Sequence, residues 1–140
     1  MIKLTDDIQE AINNSLANRN PCVLATASPT GDLSISFRGS MIAWSDTTLA
    51  YWDRSLGTAI EHVLAHGKVV VLFRDPEARI GWKFFGTATA YPDGPVREQV
   101  MSRIPQPELD RDPERKGYAV IVTLDRVENL QGHSLMERDS

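Results

Sequence analysis

Hydrophobic positions recur along this chain with two periods, and the switches between them predict its elements. Ile8, Ala11, Ile12 and Leu16 share one face at helical spacing, behind a Thr5 cap and an acidic first turn of Asp6 and Asp7. Asn20-Pro21 ends that helix. Cys22 to Ala27 is a short apolar strand, and Pro29-Thr30-Gly31-Asp32 is a hairpin turn. Leu33, Ile35 and Phe37 then alternate with Ser34, Ser36 and Arg38, the period-2 pattern of a half-buried strand. Met41 to Trp44 and Leu49 to Trp52 read as strands about a Ser45-Asp46-Thr47 turn. A second helix covers about Leu56 to His66, with Ala59, Ile60, Val63 and Leu64 inward and Gly67 as its stop.

Lys68 to Arg74 reads as a buried strand. Ile80 to Tyr91 is a long one, with Gly81 and Gly86 marking the bends of a closing barrel. Gly94-Pro95 opens a third helix carrying Val96, Val100, Met101 and Ile104. The proline-rich, charged stretch from Pro105 to Lys116 reads as a mobile surface loop. Tyr118 to Leu130 is the last strand, and the tail from Gln131 is expected to be loose. Strands joined by short turns pair antiparallel. About six or seven strands and three helices give an α+β fold class built on a small antiparallel β-barrel, and residues 1–140 form a single domain.

Composition narrows the function. The chain has 140 residues, 41% apolar and 24% charged, with a net charge of −4, so a general affinity for nucleic acid or anionic membrane is not expected. The N-terminal stretch does not read as a secretory signal, and the expected location is cytoplasmic. A lone cysteine, Cys22, excludes an intrachain disulfide and a cysteine-based zinc cluster, and reads as a core residue. His62 and His66 stand at i, i+4, but Glu61 precedes them, so H-E-x-x-H is absent and both read as surface residues. P-loop, dinucleotide-turn and nucleophile-elbow motifs are missing.

Three segments carry candidate chemistry. Ser36-Phe37-Arg38-Gly39-Ser40 lies within strand. Trp52-Asp53-Arg54-Ser55-Leu56-Gly57-Thr58 sits where a strand meets a helix, so an arginine fork and two hydroxyls stand near free helix N–H groups, an arrangement suited to a phosphate. Ser55 serves equally as a plain helix cap with Arg54 paired on the surface. Arg79-Ile80-Gly81-Trp82-Lys83-Phe84-Phe85-Gly86 alternates basic and aromatic positions. That suits a flat phosphorylated ligand, or merely a solvated basic face.

The order of these segments around V-V-V-L-F-R-D-P resembles the FMN-binding split-barrel family related to pyridoxamine 5′-phosphate oxidase. The resemblance covers roughly Asn20 to Ala90, and the terminal strand more loosely. It implies a six-stranded antiparallel split β-barrel with flanking helices, and a homodimer with FMN at the subunit interface. It assigns cofactor binding to Arg38, Gly39, Ser40, Arg54, Ser55 and Thr58, with further contacts from Arg79 and Lys83. The catalytic residues and the small-molecule substrate stay unknown. Gly39-Ser40 replaces the R-x-x-L-L-K continuation, and Gly132-His133-Ser134-Leu135-Met136-Glu137-Arg138 does not reproduce the R-x-H substrate segment. The resemblance therefore implies a flavin-dependent oxidoreductase other than a genuine pyridoxamine phosphate oxidase. The alternative is a non-catalytic module that binds flavin, deazaflavin F420, haem or a phosphate metabolite. Trp44, Trp52, Trp82 and Phe84 are the apolar surfaces expected to help wall in a ring.

Overall fold

The computed structural model describes residues 1–139. It contains α1 (Asp6–Asn13), β1 (Cys22–Ala27), β2 (Leu33–Arg38), β3 (Ile42–Ala43), β4 (Thr48–Asp53), α2 (Thr58–Ala65), β5 (Lys68–Asp75), β6 (Ile80–Tyr91), α3 (Gly94–Met101), α4 (Gln106–Leu109), β7 (Tyr118–Asn129) and β8 (Ser134–Glu137). The strands form one antiparallel sheet in the order β2-β1-β5-β6-β7-β4-β3, with β8 also on β7. The expected α+β split barrel is thus present, with eight strands in place of six: the two-residue β3 and four-residue β8 are short additions to six longer strands.

The inner face is layered. Leu24, Val71, Phe84 and Val127 are successive cross-strand partners, and all four are buried. Ile8 and Ile12 of α1 and Ala59, Ile60 and Val63 of α2 join the same core, as their helical spacing predicted, whereas Leu64, also expected inward, is exposed. Curling the long β6 requires a break in its ladder, and the register shifts between Phe85 and Gly86. A Cβ at Gly86 would collide with the Thr123 carbonyl oxygen, so only glycine lets β7 approach there. A second core lies on the other side of β4 and β7, where Ala50, Trp52 and Ala119 meet Val100, Ile104 and Leu109 from α3, α4 and their linker.

Four expectations change. Residues 105–116 are tied down, because α4 forms there and the buried Asp112 accepts from Trp52 Nε1 (2.9 Å), the Lys116 N–H (3.0 Å) and the Gly117 N–H (2.8 Å). The tail pairs as β8, and Arg138 Nη2 lies 2.6 Å from Asp125 Oδ1. His62 is buried, not superficial, with its Nδ1 hydrogen-bonded to Thr26 Oγ1 at 2.8 Å. Trp52 and Phe84 are core residues, which removes them from the expected ring wall.

The largest surprise is β2. Its apolar residues face outward, with Leu33, Ile35 and Phe37 exposed by 81%, 74% and 73%. Ser34, Ser36 and Arg38 take the more buried side. Alternation was legible, but which face meets the core was not, since one strand's period carries no sign.

Candidate functional site

β2 lies at one edge of the sheet, and no backbone ladder joins it to β4 across the seam of the barrel. Side chains do so instead. Ser40, just past β2, donates its hydroxyl to the Trp52 carbonyl (3.1 Å) and accepts the Trp52 N–H (2.9 Å). Arg38 Nη1 stands 3.5 Å from Asp53 Oδ2, and its guanidinium lies 5.6 Å from the centre of the Tyr51 ring. Asp53, itself fully buried, also accepts from the Leu56 N–H (3.0 Å) and Ser55 Oγ (3.3 Å) through its other oxygen. A buried carboxylate needs such partners, because an unpaired charge in the interior costs several kcal/mol (~3–5 on losing a partner).

Beside these links opens a cavity of about 310 Å³. Arg38, Gly39, Arg54 and Ser55 line it together with Ser36, Glu108 and Arg111. Arg54 is exposed and has no ion pair among the described residues. Ser36 Oγ and Arg38 Nε are buried atoms without a hydrogen-bond partner, a state that folded proteins rarely leave unrelieved. Gly39 permits the narrow wall: a Cβ there would lie 3.0 Å from Leu16 Cδ1 and 3.1 Å from Glu108 Cδ. Burial, reinforced by the Asp53 charge and opposed by Arg38, pushes the Tyr51 phenol up, so it is a neutral group beneath the site. Burial likewise pushes the Cys22 thiol up to about 12, which makes it an inert core residue, as expected.

Of the eight predicted cofactor residues, four therefore converge. Ser40 supports the same wall, but its hydroxyl is committed to Trp52 on both sides. Thr58 is exposed at the start of α2 and does not line the cavity. The helix begins later than the sequence suggested, with Gly57 at its cap, so Ser55 is not the capping residue. Arg79 is exposed in the β5–β6 turn with a positive φ of 58°. Lys83 pairs with Glu128 at 3.6 Å. It shares an outward-facing row with Phe37, through Val23 and Leu72. Three strand spacings separate the two, roughly 14 Å.

The sequence reading missed Glu108 and Arg111. Both come from the segment read as a loop, about 50 residues beyond Arg54, and no local spacing pointed to them. It also missed a second cavity, about 320 Å³, on the outer sheet face, floored by Ala25, Ala27, Leu33, Val70 and Phe85 and edged by Lys68 and Arg126. The Arg126 guanidinium carbon lies over Phe85, 3.9 Å from the ring centre. Among the described residues, no group of three or more His, Cys, Asp or Glu side chains could hold a metal.

The sequence model of the family described as pyridoxamine 5′-phosphate oxidase matches residues 8–130, spanning both cores and the seam. The chain belongs to this family. Among solved structures, a variant of HupZ from Group A Streptococcus is 26% identical with a TM-score of 0.71, covering 93% of this chain and all of the other. An FMN-binding protein of Syntrophomonas wolfei is 15% identical with a TM-score of 0.61, covering 89% and 86%. A heme binding protein of Mycobacterium smegmatis is 14% identical with a TM-score of 0.63, covering 86% of this chain and 52% of that one. The last two likenesses are likenesses of fold. No curated protein matches the chain. No helix among the described residues is long and apolar enough to cross a membrane.

Proposed function

We propose that this family member binds FMN at the seam and serves as a flavin-dependent oxidoreductase of the homodimeric split-barrel kind. One observation carries the reading: Arg54, without an ion pair among the described residues, shares a cavity with two buried unpartnered polar atoms, Ser36 Oγ and Arg38 Nε. A phosphate supplies the acceptors these groups lack, and an arginine fork can give it two hydrogen bonds. Arg54 holds the phosphate, and Ser55, whose hydroxyl donates to Asp53 at 3.3 Å, lines the cavity beside it. Arg38 is fixed by Asp53, so it adds positive charge without having to be ordered on binding. The chemistry a bound flavin supplies is electron transfer through its ring, and the protein contributes binding, orientation and electrostatics.

The ring belongs on the outer face of β2, β1, β5 and β6, beside the exposed Phe37, which also lines the phosphate cavity. That face is apolar and bare in a single chain, and a second copy of the chain is its natural cover. Pyridoxamine phosphate is not the substrate in this reading, because the sequence departs from the oxidases' substrate segments. Steady-state turnover of that compound at about 1 s⁻¹ or more would defeat this part.

The test is titration with FMN and with riboflavin, which lacks the phosphate. Arg54→Ala weakens FMN by roughly 10- to 150-fold, the loss of a charged hydrogen bond of about 1.5–3 kcal/mol. Riboflavin affinity barely changes, and Lys83→Ala, outside the cavity, has little effect on either. Equal losses of both ligands in Arg54→Ala would sink the phosphate assignment. A haem spectrum in the purified protein, in place of flavin bands, would sink the cofactor.

A further inference from the structure

We infer that Arg111 is a second phosphate-binding arm, and that Glu108 beside it occupies that arm until a phosphate takes its place. This rests on the phosphate reading above and adds to that site two residues from the segment around α4. Arg111 and Glu108 line the same cavity as Arg54 and Ser55.

The fold carries Arg111 to the cavity along a short, rigid path. Asp112 follows it in the chain, and the Asp112 carboxylate accepts from Trp52 Nε1 at 2.9 Å. Trp52 stands two positions before Arg54, and Ser40 Oγ holds both its N–H and its carbonyl. The segment that bears one arginine is thus bonded to the strand end that bears the other. The turn itself is fixed as well. The Arg111 N–H donates to the Glu108 carbonyl at 3.2 Å, and Arg115 Nη1 donates to the Leu109 and Asp112 carbonyls at 2.7 Å each. Leu109 is buried in the second core. Only the Arg111 side chain is left to adjust, so binding has little backbone to order.

The three arginines of the cavity are not equally engaged. Arg38 is answered by the buried Asp53. Arg54 has no ion pair among the described residues. Arg111 has one among them, to Glu108, and its Nη1–Oε2 distance of 3.8 Å is too long for a hydrogen bond. Arg54 and Arg111 therefore present two guanidinium forks with donors to spare. A phosphate monoester carries a charge of about −1.5 to −2 at neutral pH, which two arginines balance and one does not. Glu108 works against the ligand. Its side chain is only 16% exposed and is wedged against Gly39, where a Cβ would lie 3.1 Å from Glu108 Oε1. A carboxylate in the same cavity repels the phosphate and competes for Arg111. Binding exchanges that long ion pair for charged hydrogen bonds, which are shorter and stronger.

The experiment measures dissociation constants for FMN and riboflavin on the full chain and on Arg54→Ala, Arg111→Ala, Glu108→Gln and Asp112→Asn, with circular dichroism as a fold check. Arg111→Ala is expected to weaken FMN about tenfold, about 1.4 kcal/mol, and riboflavin by less than about threefold. Glu108→Gln keeps the shape and removes the charge, so FMN binds about threefold tighter or better while riboflavin is unchanged. Asp112→Asn weakens FMN by loosening Arg111, and adds no further loss when combined with Arg111→Ala. FMN binding unchanged in Arg111→Ala, with Arg54→Ala still weakened, overturns this inference and leaves the phosphate site standing. Equal losses of FMN and riboflavin in Arg111→Ala overturn it too, because the residue then supports the fold and not the ligand. FMN bound no tighter by Glu108→Gln overturns the exchange with Glu108. FMN unaffected by Arg54→Ala and Arg111→Ala alike overturns this inference together with the reading on which it rests.

Discussion

β4 and β2 are strands of equal length on opposite sides of one seam, yet they live in opposite environments. β4 is covered on both faces: Leu49 and Tyr51 point into the barrel, and Ala50 and Trp52 point toward α3 and α4. β2 turns its serines and Arg38 toward the interior and leaves three large apolar side chains in the open. The difference separates two uses of hydrophobic surface. On β4 it is consumed in folding the chain. On β2 it remains available, beside the cavity that gathers Arg38, Arg54 and Ser55. The proposed site has both sides: one rigid wall that fixes polar groups, and one wall left open.

The contrast predicts unequal responses to mutation. The largest effect belongs to β4. Tyr51→Ala removes a fully buried aromatic ring and should cost about 3–5 kcal/mol, read as a large drop in the denaturant midpoint. A small change there would mean that the seam side of β4 is loosely packed, which would erase the distinction.

Asp112→Asn should come next, at about 1.5–3 kcal/mol, because it weakens the acceptor that binds the segment of α4 to Trp52. This loss depends on pH. Burial raises the Asp112 carboxyl, but the Lys116 N–H, Trp52 Nε1, the Gly117 N–H and the Arg115 charge outweigh it and hold it below the ordinary carboxylate value. A depressed acid stabilises the fold fully above its unfolded value, near pH 4, and loses that contribution as pH falls through the folded value. The gap between the unaltered chain and Asp112→Asn should be constant from about pH 5 to 7 and narrow in more acidic solution. A gap that widens toward acid would show that the carboxylate is not held by these donors.

The smallest effect on folding belongs to β2. Phe37→Ser should change the stability of the single chain by no more than about 0.5 kcal/mol, since little burial is lost. If the proposed dimer covers this face, the same substitution should weaken it, shifting the mass seen by light scattering from twice 15.6 kDa toward that of one chain. Unfolding of Phe37→Ser as severe as that of Tyr51→Ala would show that the outer face of β2 already belongs to the core.

Local pattern located the elements because helix and strand periods are properties of neighbouring residues. Cys22–Ala27 and Ile80–Tyr91 carry their own boundaries in their flanking turns and glycines. Ser36–Ser40 and Trp52–Thr58 were legible as candidate segments, because hydroxyls, arginine and glycine beside strand ends already suggest an anion site. How the two segments meet was decided elsewhere. Arg38 and Asp53 stand fifteen positions apart, and only the curl of the sheet brings them together. Glu108 and Arg111 reach the cavity because Asp112 hydrogen-bonds across the fold to Trp52, an interaction no spacing announces. The direction of β2 was decided in the same way. Alternation divides a strand into two faces, but the side that is buried depends on what the rest of the chain places there. In this protein α1 and α2 fill the inner side of the barrel and α3 and α4 cover the back of β4, which leaves the apolar face of β2 uncovered.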